Sequence, residues 1–461
     1  MFGDRRNSAV PTALKLHKGP HYLYYFDYEV EHSYQEILFG KKVLRGAAHL
    51  DDATLIWRYK NPIAIPPSTT SSDLNVSHIL LKLIVNFVYS GNPTPDGSDF
   101  SWPRWDKQQQ NFISFENKGI THNKGSELIV NTTQGQLRGR EFKSRNGRKV
   151  AAFSGIPFAK PPLGQLRFQL KPSKLLPVIF YISGGGFNFG SGEIDKTPEY
   201  FMDYDVVVVM HNYRLGPFGF ISMEDDILAG NMGMKDQVMA LEWVRKNIAN
   251  FGGDPEQVTL IGESAGGASV SYHMYSPMSR GLFHRAISQA GTALSCWATI
   301  PPGVARSQAI YLAKKFNCSV DSSQMILDCL RTINAYELIE SSTQYISGDE
   351  SSYFLEPIID TNSTNPFIPF DPQTSEPAPL PWIVGVDSVD GATQTDKFYR
   401  NFSALADLNE NFEERLPGLL QYKETSLNPD EITKKIKEYY FDDQQITLDL
   451  FKNLTDVCTL Y

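Results

Sequence analysis

The run Gly262-Glu263-Ser264-Ala265-Gly266 fits G-x-S-x-G, the pattern of a serine held on a strained strand-to-helix turn. Val258-Thr259-Leu260-Ile261 before it reads as a buried strand. The small residues Gly267, Ala268 and Ser269 after it suit a helix packed closely on a sheet. A serine hydroxyl is a poor nucleophile at neutral pH. It needs a base to take its proton, a carboxylate to orient that base, and donors for the oxyanion that forms. The triplet Gly184-Gly185-Gly186, closing an apolar strand, offers backbone donors, joined by the N–H of Ala265 at the head of the helix. Two carboxylates, Asp387 and Asp390, follow the strand Trp382–Val386, where an acidic turn without chemistry is the plainer reading. Nine histidines are available. His273 is expected on the elbow helix facing away, and His211 at a strand end. Residue type alone does not pick out the base.

These groups need a frame. Apolar strands at Leu175–Ile182, Val206–Val209, Ala286–Ala290 and Trp382–Val386 alternate with helical stretches such as Asp236–Asn250, with Val238, Leu241, Val244 or Trp243, and Ile248 on one side. Such alternation predicts a mostly parallel α/β sheet covered on both faces. Residues 301–338 read as mostly helical. In the first part of the chain, His21–Val30 is strand-like and Ile79–Tyr89 reads as an amphipathic helix stopped by Ser90-Gly91-Asn92-Pro93. Pro62–Ser72 reads as loop, Trp102–Glu116 as an aromatic-anchored strand or loop, and Asn117–Ser126 as a linker. Short strands are expected at Leu128–Val130, Gly135–Arg138 and Val150–Phe153.

The chain has 461 residues, 41% apolar and 21% charged, as a globular protein does. A formal net charge of -9 without a basic cluster argues against a nucleic-acid partner. The most apolar run, Ile79–Tyr89, is too short to span a membrane, and no apolar run follows Met1–Arg6 as a secretory leader would require. Of four cysteines, Cys318 and Cys329 bracket a short polar loop that they can close, whereas Cys296 and Cys458 have no obvious partner. Sequons begin at Asn75, Asn131, Asn317, Asn362, Asn401 and Asn453, a hint of a secretory history.

Further motifs accompany the elbow: Gly-Gly-Gly-Phe at 184–187, Asn-Tyr-Arg-Leu-Gly-Pro-Phe-Gly-Phe at 212–220, Gly-Met-Lys-Asp-Gln at 233–237, Asn-Phe-Gly-Gly-Asp-Pro at 250–255 and Gly-Leu-Phe-His-Arg-Ala-Ile at 281–287. Together the chain resembles the type-B carboxylesterase and cholinesterase family, with an insect-esterase flavour. The resemblance implies an α/β-hydrolase fold, a carboxylic ester as small-molecule substrate, an acyl-serine intermediate, no cofactor or metal, and an extracellular location. Gly46-Ala47-Ala48-His49-Leu50-Asp51-Asp52 resembles the family's histidine loop, which makes His49 the implied base. The family's acid falls just before the glycine, at Asp390, where glutamate is usual, with Asp387 as runner-up. The oxyanion donors implied are Gly185, Gly186 and Ala265. Glu263 falls in the gorge, and Trp297 either lines the acyl pocket or is a core residue. Juvenile-hormone esterases characteristically have glutamine at the Glu263 position, which leans away from that assignment. Cys318 and Cys329 match a family disulfide.

The family order is broken. Residues 127–461 resemble the beginning, middle and most of the end of such an enzyme, and residues 1–116 its last portion, with 117–126 joining them. Leu454–Tyr461 reads on into Phe2–Arg6, so the chain looks circularly permuted. The order fits a permuted protein, or the tail of one tandem copy fused to the head of the next, the latter being the preferred origin. A segment after about residue 172 is missing, which removes one or two strands and part of the gorge wall from expectation. The rival readings are a non-catalytic scaffold or adhesion protein of the same fold, as neuroligins are, and an inactive chimaera.

Overall fold

The computed structural model describes residues 19–26, 28–39, 47–48, 50–59, 69–95, 102, 104, 113–115, 129–132, 135–138, 140–144, 148–152, 175–192, 196–346, 355–420, 422–423 and 426–460. Seven strands form one sheet. In chain order they are β1 (His21–Phe26), β3 (Ile113–Phe115), β4 (Leu176–Ile182), β6 (Val207–Met210), β7 (Gly253–Glu263), β8 (Arg285–Gln289) and β9 (Trp382–Asp387). The spatial order is β6-β4-β7-β8-β9-β1-β3, and every pairing is parallel. Strands β2 (Arg58–Tyr59) and β5 (Lys196–Thr197) make a separate antiparallel ribbon. Two further hairpins join Ile129–Thr132 to Gly135–Arg138 and Arg140–Lys143 to Lys149–Ala152.

Parallel strands buried on both faces read as apolar runs because successive side chains alternate between two cores. Val178, Phe180 and Ile182 of β4 face one core. There they meet Val238, Leu241 and Val244 of α3 (Met232–Asn247) and Ala268 and Tyr272 of α4 (Ala265–Tyr275). Ile179 and Tyr181 face the other, with Tyr22, Tyr24 and Phe26 of β1 and with Leu80, Ile84, Phe87 and Val88 of α2 (Ser71–Ser90). Burying a side chain of this size contributes about 1.5–3 kcal/mol each. A third core joins α5 (Ala392–Arg400) to the last helix, α6 (Phe451–Leu460), through Phe398, Leu454 and Val457.

Some boundaries differ from expectation. Helix α2 starts at Ser71, inside the stretch read as loop, because the Thr70 side chain caps it by accepting from the Asp73 N–H. It ends at Gly91, in the left-handed conformation at φ 71°. Helix α3 starts at Met232 and gives way to a 3₁₀ turn at Ile248–Phe251. The linker 117–126 and the residues around the expected missing segment, 153–174, lie outside the described residues.

Candidate active site

A parallel sheet sends all its strands toward one edge, and the loops leaving that edge gather there. β7 ends at Glu263, and Ser264 takes φ 57° and ψ -125°, a strained conformation for a residue with a Cβ. Backbone bonds hold it: Ser264 N–H donates to the Gln289 carbonyl at 2.8 Å, and Ala268 N–H donates to the Ser264 carbonyl at 2.9 Å. The turn closes only because its flanks are glycines. A Cβ on Gly262 would stand 2.3 Å from the Gly266 carbonyl oxygen, and one on Gly266 would stand 2.2 Å from that of Ile182.

The next strand over, β4, delivers Ser183-Gly184-Gly185-Gly186. A Cβ on Gly184 would lie 3.2 Å from the Ser264 Cβ, so this loop rests against the nucleophile. Gly185 and Gly186 have φ of 108° and 55°, a path that favours glycine. Their carbonyls turn inward. Gly185 accepts from the N–H groups of Asn188 and Phe189, and Gly186 accepts from Asn188 Nδ2 at 2.6 Å. A Cβ on Gly186 would meet nothing within 4 Å, so this side of the loop faces open space.

Asp387, the last residue of β9, is buried, and Asp390 beyond it is half-buried. Residues 388–391 are docked on both sides. Ala47 N–H donates to Ser388 Oγ at 2.8 Å, Val389 N–H donates to the Ala47 carbonyl at 2.9 Å, and Ala48 and Val389 form a parallel bridge. Gly391 N–H donates to Thr459 Oγ1 on α6 at 2.8 Å, and a Cβ at Gly391 would stand 2.5 Å from the Thr455 carbonyl oxygen. The backbone just before His49 is thus joined to the backbone just before Asp390. His49 itself lies outside the described residues; its neighbours Ala48 and Leu50 are buried, Leu50 at φ 75°.

Helix α1 (Asp51–Ile56) follows at once. Asp51 accepts from Ser33 Oγ (2.6 Å), Tyr34 N–H (2.7 Å) and Ala48 N–H (2.9 Å). Burial still pushes its carboxyl up to about 7. Asp52 accepts from the Tyr24 hydroxyl and from Gln289 Nε2 at 2.8 Å, and burial raises its pKa too. Gln289 therefore ties α1 through its side chain and Ser264 through its carbonyl. Gly385 opposite makes room, since a Cβ there would collide with the Tyr24 ring.

Sequence reasoning missed two of these groups. Gln289 is the polar end of an apolar strand and carries no motif. Lys196 Nζ lies 2.8 Å from Glu263 Oε2, with the two residues 5% and 2% exposed. A single lysine in a polar stretch gives no sign of such burial, since lysine is almost never buried unpaired. Trp297 is half-buried, and its ring lies 3.0 Å from where a Gly291 Cβ would be, which would itself stand 2.3 Å from the Ser264 carbonyl oxygen. Cys318 and Cys329 form a disulfide, and Cys296 and Cys458 are free thiols.

The described histidines are held elsewhere. His273 is hydrogen-bonded to Ser279 Oγ and Gln237 Oε1, with burial lowering its pKa to about 3. His211 stacks on Phe180 at 4.5 Å and is lowered to about 4 by burial. His284 Nδ1 accepts from the Val258 N–H. His17 and His122 lie outside the described residues. Among the sequons, Asn317, Asn362 and Asn401 are exposed, whereas Asn453 commits its Nδ2 to the Tyr440 carbonyl at 2.7 Å. Among the described residues no helix is long and apolar enough to cross a membrane.

Comparison with known proteins agrees with this fold. The chain matches the model of the carboxylesterase family over residues 6–128, 126–173 and 169–461. It is 35% identical over 383 residues to venom carboxylesterase-6 of Apis mellifera, covering 70% of this chain and 68% of that protein. It is 37% identical over 382 residues to juvenile hormone esterase of Tribolium castaneum, covering 68% and 64%. Among solved structures it resembles juvenile hormone esterase from Manduca sexta with OTFP covalently attached. The TM-score is 0.61, with 25% identity over 72% of this chain and 73% of that one. The chain thus spans roughly two thirds of the length of these curated relatives.

Proposed function

The chain belongs to the carboxylesterase family, and we propose that it hydrolyses carboxylic esters through an acyl-serine intermediate. Ser264 attacks the ester carbonyl. His49 takes the hydroxyl proton and returns it to the leaving alcohol, and Asp390 orients the imidazole. The N–H groups of Gly185, Gly186 and Ala265 receive the oxyanion, and loss of one such donor typically costs about 3 kcal/mol of barrier. Water then releases the acid by the same route.

The observation that carries this reading is the strained Ser264 backbone with the Gly184–Gly186 loop packed on its Cβ. That arrangement serves no evident packing purpose, and it sets a hydroxyl against a loop whose open side can take an oxygen anion. The docking of Ala47–Ala48 on 388–389 supports the assignment of His49 and Asp390 as a pair. Trp297 is assigned to the acyl side of the cleft. Glu263 leans the physiological ester away from juvenile hormone. The Cys318–Cys329 disulfide and a relative named for venom favour an oxidising, extracellular setting, with Asn317, Asn362 and Asn401 as the glycan sites that exposure favours. The seams between matched stretches fall at 126–128 and 169–173, which supports a join beside the linker and a break at the missing segment.

The test is direct. Purified protein should release nitrophenol from a short-chain nitrophenyl ester and take an organophosphate on Ser264, with Ser264→Ala abolishing both. Folded wild-type protein that does neither refutes the reading.

A further inference from the structure

We propose that Lys196 is a positioning residue of the active site, which holds the Glu263 carboxylate as a neutral pair beneath the oxyanion loop. The idea rests on Ser264 being the nucleophile. Glu263 immediately precedes Ser264 in the chain, and its Oε2 would lie 3.1 Å from a Cβ on Gly184, the first residue of the loop proposed to receive the oxyanion. An ionised carboxylate there would oppose the negative charge that develops on the ester oxygen. Few ways exist to neutralise a carboxylate buried to 2% exposure. Lys196 supplies one, with its Nζ 2.8 Å from Oε2 and its own side chain 7% exposed.

The lysine does not reach this place by chance of rotamer. It sits in β5, where Tyr59 is its antiparallel partner and Thr197 pairs with Arg58, and the ribbon is closed by an Arg58–Glu199 ion pair at 2.6 Å. Strand β2 follows α1 directly, and so belongs to the segment that carries the proposed base. The same ammonium lies 5.6 Å from the centre of the Tyr181 ring on β4. One residue therefore links the segment around the base, the floor of the sheet and the nucleophile turn. Removing both charges of such a pair is tolerated far better than removing one, because one alone leaves a buried charge without its counter-ion.

The groups facing Glu263 decide what happens when the ammonium goes. Lys196 faces it from β5. Asp52 faces it from α1 and feels its charge, and Tyr213, after β6, does so as well. Asp52 is in turn held by Tyr24 of β1 and Gln289 of β8. Apart from Lys196, the named neighbours are acids or neutral groups. Without Lys196, burial and Asp52 together drive Glu263 to keep a proton to higher pH than an ordinary carboxyl. At low pH the protonated Glu263 is harmless to the oxyanion. At high pH it ionises and opposes it.

The readout is the ratio of kcat/KM in Lys196→Met to that of wild type, measured from pH 5 to pH 9 with a nitrophenyl ester and corrected for competent sites by organophosphate titration. The ratio is expected to fall at least tenfold as pH rises. In Lys196→Met/Glu263→Gln it should be independent of pH and at least tenfold above the single variant at pH 9. Lys196→Arg, which keeps the charge, should also show a flat ratio. A merely structural role removes competent sites equally at every pH, so a flat ratio for Lys196→Met overturns the proposal, as does a double variant no better than the single. Should Lys196→Met not fold, the double variant decides: folded protein with a flat ratio supports the pair, and folded protein more than a hundredfold down refutes it. The wild-type control, hydrolysis and labelling at Ser264, reports separately on the underlying reading.

Discussion

Gly266→Ala places a Cβ 2.2 Å from the Ile182 carbonyl oxygen, with Ile182 and Ser183 carbonyl carbons 3.0 Å away. All three are backbone atoms of β4 or the residue after it, so no side chain can swing aside. Restoring an ordinary 3.4 Å contact requires the head of α4 and the end of β4 to part by about 1.2 Å. Overpacking of this kind typically costs about 1–3 kcal/mol of stability. The catalytic consequence is larger. Ile182 leads directly into Gly184–Gly186, and Gly266 is two residues from Ser264, so the separation falls between nucleophile and oxyanion donors. A misplacement of about 1 Å costs roughly a hundredfold in rate, or about 2.7 kcal/mol of barrier. Gly303→Ala is the control. Its Cβ meets nothing within 4 Å, but its φ of 87° strains an alanine by about 1–2 kcal/mol. Stability should fall similarly in both variants, by urea unfolding, while kcat/KM on a nitrophenyl ester falls roughly a hundredfold only in Gly266→Ala. If Gly266→Ala turns over within fivefold of wild type, the close approach of the elbow helix to β4 does not set the oxyanion geometry.

His49→Ala should lower kcat by about 10⁶-fold and Asp390→Ala by about 10⁴-fold, without a matching loss in thermal stability; unchanged turnover in the first would put the base elsewhere among the histidines. Asp51 keeps its proton to about pH 7 in the fold but releases it near 3.8 when unfolded. Between those values the native state binds more protons, so its stability falls as pH rises, by up to about 1.4 kcal/mol per unit, and levels off above 7. Urea midpoints of wild type against Asp51→Asn should show that slope removed. The Cys318–Cys329 bond closes a loop with a sequence separation of 11, worth about 3 kcal/mol on the chain-entropy model. The double serine variant should lose that much in urea unfolding while keeping kcat.

The elbow and the central strands are legible in the sequence because their physics is local. A strand buried on both faces must be apolar throughout, and the turn after β7 tolerates only glycine at 262 and 266. The start of α2 is less legible, since the run from Ile79 marks only the apolar part and Thr70 extends the helix by its cap. Groups brought together by the fold leave no local trace. Ala47 and Ser388 are 341 positions apart and meet through two hydrogen bonds, one donated by the Ala47 N–H and one by the Ser388 hydroxyl. Lys196 looks like any solvated lysine until Glu263 is beside it, and Gln289 like any strand end until Asp52 is. His49 stands out through its resemblance to a family loop, because an isolated histidine has no spacing of its own to read.

Strand β1 is seated between β9 and β3, paired with Trp382–Asp387 along its whole length. Among the described residues, the first 115 bring β1, Ala47–Ala48 and α1 to the cleft, whereas the nucleophile and its glycine loop come from beyond residue 175. The molecule is in this sense a two-part kit. A chain divided between Phe115 and Ile129 would yield one fragment with an open sheet edge at β9 and another carrying the strand that fills it. Mixing the two is then a complementation assay, in which recovered ester turnover reports strand insertion as a split reporter does.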